Sequence, residues 1–204
     1  DDIDEDGLVL TVSDTVNIIV SIAGLEVTFE ALQDWNGTET LTFTINDNQG
    51  RAIASDTVDV IVTPVNDAPV LAEIGLQVTN EDVPLAITLA AEDIDNTELI
   101  FSASSDTSAV IVSVLGDQLT MAPAADWNGT ANVTVTVGDG DLTDSETFIL
   151  NVNPVNDAPV IIGQAGSLST LEETSLTISL EDLIVTDVDN VYPDNFTLTV
   201  LGGE

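Results

Sequence analysis

Cysteine, histidine and lysine are all missing from these 204 residues, and Arg51 is the single base against 37 acids. Without cysteine there is no disulfide framework. Without His or Cys there is no imidazole or thiolate metal ligand, and no His-activated or Cys–His nucleophile. One cation cannot neutralise a phosphate backbone, so nucleic acid is excluded as a partner. A net charge of −36 is repelled by an anionic membrane surface. No apolar run is long enough to span a bilayer, and neither an initiator Met nor a signal peptide is present. A chain that opens on Asp1-Asp2 is expected to be a piece of a longer one.

What remains is carboxylate and apolar surface. High net charge often goes with disorder, but 44% of the residues are hydrophobic and the mean hydropathy is +0.29, enough to build packed cores. The repulsion must then be relieved. Bound cations can do this, and so can salt, because the Debye length falls from about 10 Å at 0.1 M to about 3 Å at 1 M. Carboxylates and carbonyls are natural ligands of hard cations. The charge therefore points to an extracellular, calcium-rich and saline setting, with a halophilic solvated surface as the plain alternative.

The sequence repeats. Pro64-Val65-Asn66-Asp67-Ala68-Pro69-Val70 returns as Pro154-Val155-Asn156-Asp157-Ala158-Pro159-Val160, and Asp34-Trp35-Asn36-Gly37-Thr38 returns as Asp126-Trp127-Asn128-Gly129-Thr130. A period of about ninety residues marks a tandem array. Within each period, apolar and polar residues alternate: Leu41, Phe43 and Ile45; Val58, Val60 and Val62; Val133, Val135 and Val137; Phe148, Leu150 and Val152. Such alternation predicts half-buried strands, with turns at Asn36-Gly37, Asn128-Gly129, Gly116-Asp117 and Gly138–Asp141. The central repeat, 69–158, is expected to hold seven strands, near 76–79, 85–91, 99–103, 110–114, 118–122, 131–138 and 145–153. Seven strands with frequent turns suit an all-β, immunoglobulin-like Greek-key sandwich. Residues 1–68 align with a repeat lacking its first strands, and 159–204 with one lacking its later strands. Each partial repeat is expected to be less stable, with open edges and half a core. The two are complementary pieces in principle, although truncation accounts for both without a partner.

The acids fall in phase with the repeat. Asn-Asp stands at each joint, as Asn66-Asp67 and Asn156-Asp157. Asp-x-Asp follows, as Asp2/Asp4, Asp93/Asp95 and Asp187/Asp189. Glu81-Asp82 and Glu172-Glu173 lie in the first strand region, and Asp34 and Asp126 precede the tryptophans. If Asp-x-Asp is extended, both side chains point to one side and can converge on the linker carboxylates. Two like charges at 4 Å repel by roughly 4 kcal/mol at an effective dielectric of 20; a divalent cation reverses the sign. Calcium takes six to eight oxygens of this kind, and the flanking prolines restrict the linker. A solvated Pro-bounded turn is the competing reading for any one motif, but three motifs in phase favour the metal.

The string Val65-Asn66-Asp67-Ala68-Pro69-Val70 resembles the calcium-binding interdomain linker of cadherins, and the whole units resemble the bacterial cadherin-like tandem repeats of large secreted adhesins. The resemblance implies shared Ca2+ at each joint. Carried over by position, Glu81, Asp126, Asn156, Asp157, Asp187 and Asp189 would serve one joint, and Asp34, Asn66, Asp67, Asp93 and Asp95 the joint before it, there without an upstream glutamate. Glu172 would serve a later joint, and Asp2 and Asp4 an earlier one. Two departures from the family stand out: Pro64 and Pro154 replace the aspartate that opens the cadherin linker, and the Asp-Arg-Glu motif is absent.

The resemblance implies a calcium-stiffened stalk or adhesion module, secreted or on a bacterial surface. Its partners would be calcium ions, with any cell-surface or glycan ligand met by other parts of the parent. A carbohydrate-binding accessory module of a secreted polysaccharide-degrading enzyme is the alternative, but 4% aromatics leave little for a stacking platform. Homophilic adhesion is a third reading. Trp35 and Trp127 read as core anchors. Asp2 to Gly7 opens like an EF-hand loop, but its twelfth position is Ser13 and strands flank it. Asn36, Asn128, Asn132 and Asn195 lie in Asn-x-Thr sequons, the first two better read as tight turns. Carboxylate pairs recur in every repeat rather than marking one cleft, so an enzyme is not expected.

Overall fold

A computed structural model of the chain describes residues 8–46 and 53–199, which form two compact units. Asp2, Asp4 and Arg51 lie outside the described residues. The first unit, with the loop 93–98 added to residues up to Pro69, contains β1 (Val9–Ser13), β2 (Ile18–Ala23), β3 (Glu26–Ala31), β4 (Gly37–Asn46) and β5 (Ile53–Val62). The strands form one sheet ordered β1-β4-β5 and a β2-β3 hairpin. Among its described residues Ile18, Leu41 and Pro69 are buried, and Phe29 meets Phe43 edge-on at 6.1 Å between ring centres.

The second unit holds β6 (Val70–Leu71), β7 (Gln77–Asn80), β8 (Leu85–Thr88), β9 (Ala91–Glu92), β10 (Ile100–Ser105), β11 (Val110–Leu115), β12 (Gln118–Pro123), β13 (Gly129–Gly138) and β14 (Thr143–Asn153). It continues into β15 (Val160–Gln164), a 3₁₀ turn at Leu180–Asp182 and β16 (Leu183–Thr186). One sheet runs β10-β13-β14-β7, with β7 parallel to β14, and the other runs β11-β12-β8. Their inner faces pack Val110, Leu119, Met121, Val133, Leu150 and Val152 into one core, with Trp127 at its margin. This is the β-sandwich that the alternation predicted. The expected strand at 85–91 is two, broken at 89–90, because Leu89 turns inward and its amide bonds to Asp117 O. A short strand, β6, was not anticipated; it pairs with β9, and β15 with β16 repeats that pairing.

Two turns fold as read. Gly116 at φ 63° closes the β11–β12 hairpin, and Asp139 Oδ1 accepts from the Asp141 and Leu142 amides to shape the β13–β14 loop. The Asn-Gly pairs do not make the tight turns expected. The reversal lies one step earlier, where Trp127 N bonds Ala124 O and Asp126 takes φ 58°; Leu32, Asp34 and Trp35 repeat it. Gly129 opens a strand at φ 146°, and a Cβ there would lie 3.2 Å from the Trp127 ring. Glycine stands here because the indole needs the space.

Candidate metal centre

Asp157 is the hub. It follows the end of β14, where Pro154 and Pro159 fix the linker on both sides. One carboxylate oxygen from each of Glu81, Asp157 and Asp189 lies within 4.8 Å of the others, and the same holds for Asp82, Asp126 and Asp157. Five carboxylates thus meet in two triads that share Asp157. Its carboxyl is held above its ordinary value, first by burial, then by the charges of Asp126, Asp189, Asp82 and Glu81.

Each acid is placed by a local device. Glu81 is buried where β7 ends; its amide bonds Asn153 O at 2.9 Å, its Oε1 accepts from Val155 N, and its Oε2 accepts from Asn128 Nδ2 at 3.2 Å. Asp82 and Asp126 both take positive φ, which aspartate tolerates better than most residues, and Asp126 N donates to Asp82 Oδ1 at 3.1 Å. Asp157 N donates to Asp189 Oδ2 at 2.6 Å.

The Asp-x-Asp motif is not the extended pair expected. Asp187 Oδ1 accepts from the amides of Asp189 and Asn190 at 2.9 and 2.8 Å, folding the motif into a side-chain-capped turn. Its Oδ2 is buried and accepts no hydrogen bond. The aspartates therefore divide the work, Asp187 shaping the turn and Asp189 reaching the linker. Asn190 Nδ2 joins Asn156 Oδ1 at 3.2 Å, and Asn156 Nδ2 donates to Asp157 O at 2.8 Å.

The first unit repeats this arrangement. Asp67 N donates to Asp95 Oδ2 at 2.8 Å, Asn96 Nδ2 to Asn66 Oδ1 at 2.8 Å, and Asp93 Oδ1 accepts from Asp95 N at 2.8 Å and Asn96 N at 2.7 Å. Asp93 Oδ2 is again buried without a hydrogen-bond partner. Asp34, Trp35, Asn36, Val65, Asp67 and Asp95 line a depression of about 230 Å³. Among the described residues no acid occupies the place that Glu81 holds in the second unit. Glu172 sits on an exposed turn of the second unit, outside both triads.

Asp82, Asn96, Asn128 and Asn190 belong to the arrangement and were not among the expected ligands. Asn96 and Asn190 were visible as the fourth letter of Asp-x-Asp-Asn. Asp82 stood beside Glu81, but only the fold brings it to Asp126. The donor set fits a hard cation: every reachable group is an oxygen, charge exceeds what the hydrogen bonds compensate, and a buried carboxylate oxygen is left over.

Residues 65–153 match the cadherin-like domain family, and residues 1–63 match a bacterial Ig domain. No curated protein matches the sequence. Among solved structures, human protocadherin-24 EC1-2 superposes with a TM-score of 0.50 at 18% identity, over 74% of this chain and 84% of that one. Protocadherin gammaB7 EC3-6 gives 0.52 at 17% identity, over 90% of this chain and 52% of that one. At such identities the likeness is one of fold. With the β-sandwich, the phased acids and the domain match in agreement, residues 65–153 form a cadherin-like repeat, next to a stretch that matches a bacterial Ig domain.

Proposed function

We propose that this chain is a segment of a calcium-stiffened stalk, secreted or displayed on a cell surface, and that it performs no catalysis. The observation that carries the reading is Asp157, one linker carboxylate shared by two triads drawn from four separate chain segments. Glu81, Asp82, Asp126, Asp157 and Asp189 would hold Ca2+, with Asp187 behind them. The ion supplies neutralising charge and oxygen coordination when bound. The rest is done by the chain. Val155 N and Asn128 aim Glu81, the Asp187 turn presents Asp189, and Asn190 ties that turn to Asn156. With calcium absent, the same carboxylates repel and the linker loosens; with it, the linker and the β15–β16 segment are held to the central sandwich.

Domain bounds of 1–68, 69–158 and 159–204 go with this reading, as does a weaker site in the first unit, where Asp34, Asn66, Asp67, Asp93 and Asp95 act without an upstream glutamate. Any adhesive partner would be met by other parts of a parent protein. No helix among the described residues is long and apolar enough to cross a membrane. The carbohydrate reading finds no platform in the tryptophans, since each ring lies over its own glycine. Titration calorimetry and small-angle scattering test the proposal. Binding in the range of about 10⁻⁴–10⁻³ M and a narrower, longer distance distribution with calcium than with EGTA are expected. No heat and an unchanged profile would remove it.

A further inference from the structure

One sheet of the second unit has an unguarded edge. Strand β11 ends the β11-β12-β8 sheet, and among the described residues no strand pairs with its other side. A long apolar edge invites another chain, so proteins blunt such edges with charge, proline, a bulge or a cover. Strand β11 shows none of these. Its six residues, Val110–Leu115, carry no charge and no proline, and its register with β12 runs unbroken from Val110↔Pro123 to Leu115↔Gln118. Ile111 is 69% exposed and Leu115 85%. In a chain with 37 acids, no residue of β8, β11 or β12 is charged.

The backbone of this edge has a definite polarity. Ala124 N bonds Ala109 O at 2.7 Å, so Ala109 faces β12. Hydrogen-bonding direction alternates along an antiparallel strand, and Ile111, Ser113 and Leu115 therefore also bond across to β12. Val112 and Val114 point their amides and carbonyls away from it, while their side chains pack against the core. The outward side chains read apolar, hydroxyl, apolar: Ile111, Ser113, Leu115. The other edges offer less. Strands β7 and β8 are four residues each, and β10 sets Ile100 beside Ser102 and Ser104. The first unit writes the same edge again. Strand β2 has Ile19 and Ser21 where β11 has Ile111 and Ser113, and Gly24 at φ 66° follows it as Gly116 at φ 63° follows β11.

We propose that β11 pairs with β11 of a second copy, antiparallel about a two-fold axis at Ser113, so that chains associate side by side. A two-fold contact must be self-complementary, and this register is. Val112 and Val114 exchange backbone hydrogen bonds with Val114 and Val112 of the second copy. Ile111 then faces Leu115, and Ser113 faces its own counterpart. A register centred one residue away sets Ile111 against Ser113 and loses the apolar pair. Charge selects the same edge. Two copies at −36 each repel, and carboxylates, which only accept hydrogen bonds, cannot bond one another. Along this pairing Asp117, at the hairpin tip, comes opposite Ala109, and no acid opposes an acid. A pair of six-residue edges buries less than the roughly 1,200 Å² of a stable interface. One contact is therefore weak, and a tandem array multiplies it. Salt strengthens it by screening the charge on the rest of each copy. No proposed calcium ligand takes part, so the pairing stands apart from the calcium reading.

The absence of cysteine gives a clean test. Residues opposed in a non-hydrogen-bonded antiparallel pair lie about 4.5 Å apart at Cα, a separation that a disulfide spans. Ser113→Cys chains at about 0.5 M salt in EGTA, under mild oxidation, are expected to give at least about tenfold more disulfide-linked dimer than Ser145→Cys chains. Ser145 is exposed on the other sheet and serves as the control for chance collision. Sedimentation of the cysteine-free chain should shift toward dimer as salt rises. Two further changes, each in the Ser113→Cys background, should return the yield to the control. Val114→Pro removes an outward amide that the sandwich does not use. Leu115→Asp places a charge on a side chain already 85% exposed, which the fold does not need. A Ser113→Cys yield no greater than the control overturns the proposal, as does a chain that stays monomeric at every salt concentration. Cross-linking that survives both Val114→Pro and Leu115→Asp also overturns it, because the contact is then not this edge.

Discussion

Asp157 gives its backbone amide to the carboxylate of Asp189 at 2.6 Å, while its own carboxylate lies within 4.8 Å of that same residue's. One acid is bound to the other by its main chain and opposed by its side chain. The two effects can be separated, because an asparagine at 157 keeps the amide and removes the charge. In EGTA, Asp157→Asn is expected to raise the melting temperature, since it relieves the repulsion from Asp126, Asp189, Asp82 and Glu81. In calcium the order inverts. The wild type gains about 2.7 kcal/mol at a hundredfold excess over its dissociation constant, and the variant gains little. Scanning calorimetry in the two buffers checks the crossing; equal calcium shifts in both proteins would contradict it.

The same carboxyl sets a pH dependence. Its folded value is raised above the ordinary 3.8, by burial first and by like charge second. The folded state therefore holds its proton more tightly than the unfolded one, so stability is fullest below the unfolded value and is lost as pH rises through the folded one. Glu39 runs the other way. Burial pushes it up, but hydrogen bonds from Val16, Asn17 and Ile18 carry it below the ordinary 4.5. Its contribution is present above that value and is lost as pH falls through the lowered one. In EGTA, the advantage of Asp157→Asn over wild type should shrink between neutral pH and about pH 4, while the deficit of Glu39→Gln should shrink only at lower pH still. Denaturation curves across that range measure both.

Gly129 carries a third prediction. Alanine there must hold φ 146° and place its Cβ 3.2 Å from the Trp127 ring. A strained position of this kind costs about 1–3 kcal/mol. The cost would come with a weaker metal response, since Trp127 stands between Asp126 and Asn128, which reach Asp82 and Glu81. Urea denaturation and calcium titration of Gly129→Ala should both move. Gly37→Ala, whose Cβ meets Trp35 at 3.3 Å, should leave the Asp157 triads unaffected.

The sandwich was legible because its determinants are local: period-two alternation in Val133–Val137 and Phe148–Val152, glycine at the reversals, and a repeat that displays each pattern twice. The acidic residues were legible as types and phases. Their division of labour was not. Alternation says nothing of whether Asp93 and Asp95 lie in a strand, and the competing side-chain-to-amide bonds of Asp93 win because no neighbouring strand offers a ladder there. The pairing of Asp82 with Asp126 joins residues 44 apart, a separation set by the stacking of two sheets and by no nearby sequence signal. Asn-Gly misled because a hairpin preference and a packing demand use the same glycine; the Trp127 ring decides for the second.

Core position sets the last prediction. Leu150 and Val60 are counterparts on β14 and β5. Leu150 is fully buried between two sheets, whereas Val60 lies on a face that the first unit only half covers. Leu150→Ala should therefore cost about 2–5 kcal/mol, the range for a large side chain removed from a packed core. Val60→Ala removes less side chain from a place already near water and should cost well under half as much. The difference reads the burial of the two positions directly. Urea denaturation of the two variants beside the wild type measures the difference, and equal costs would contradict it.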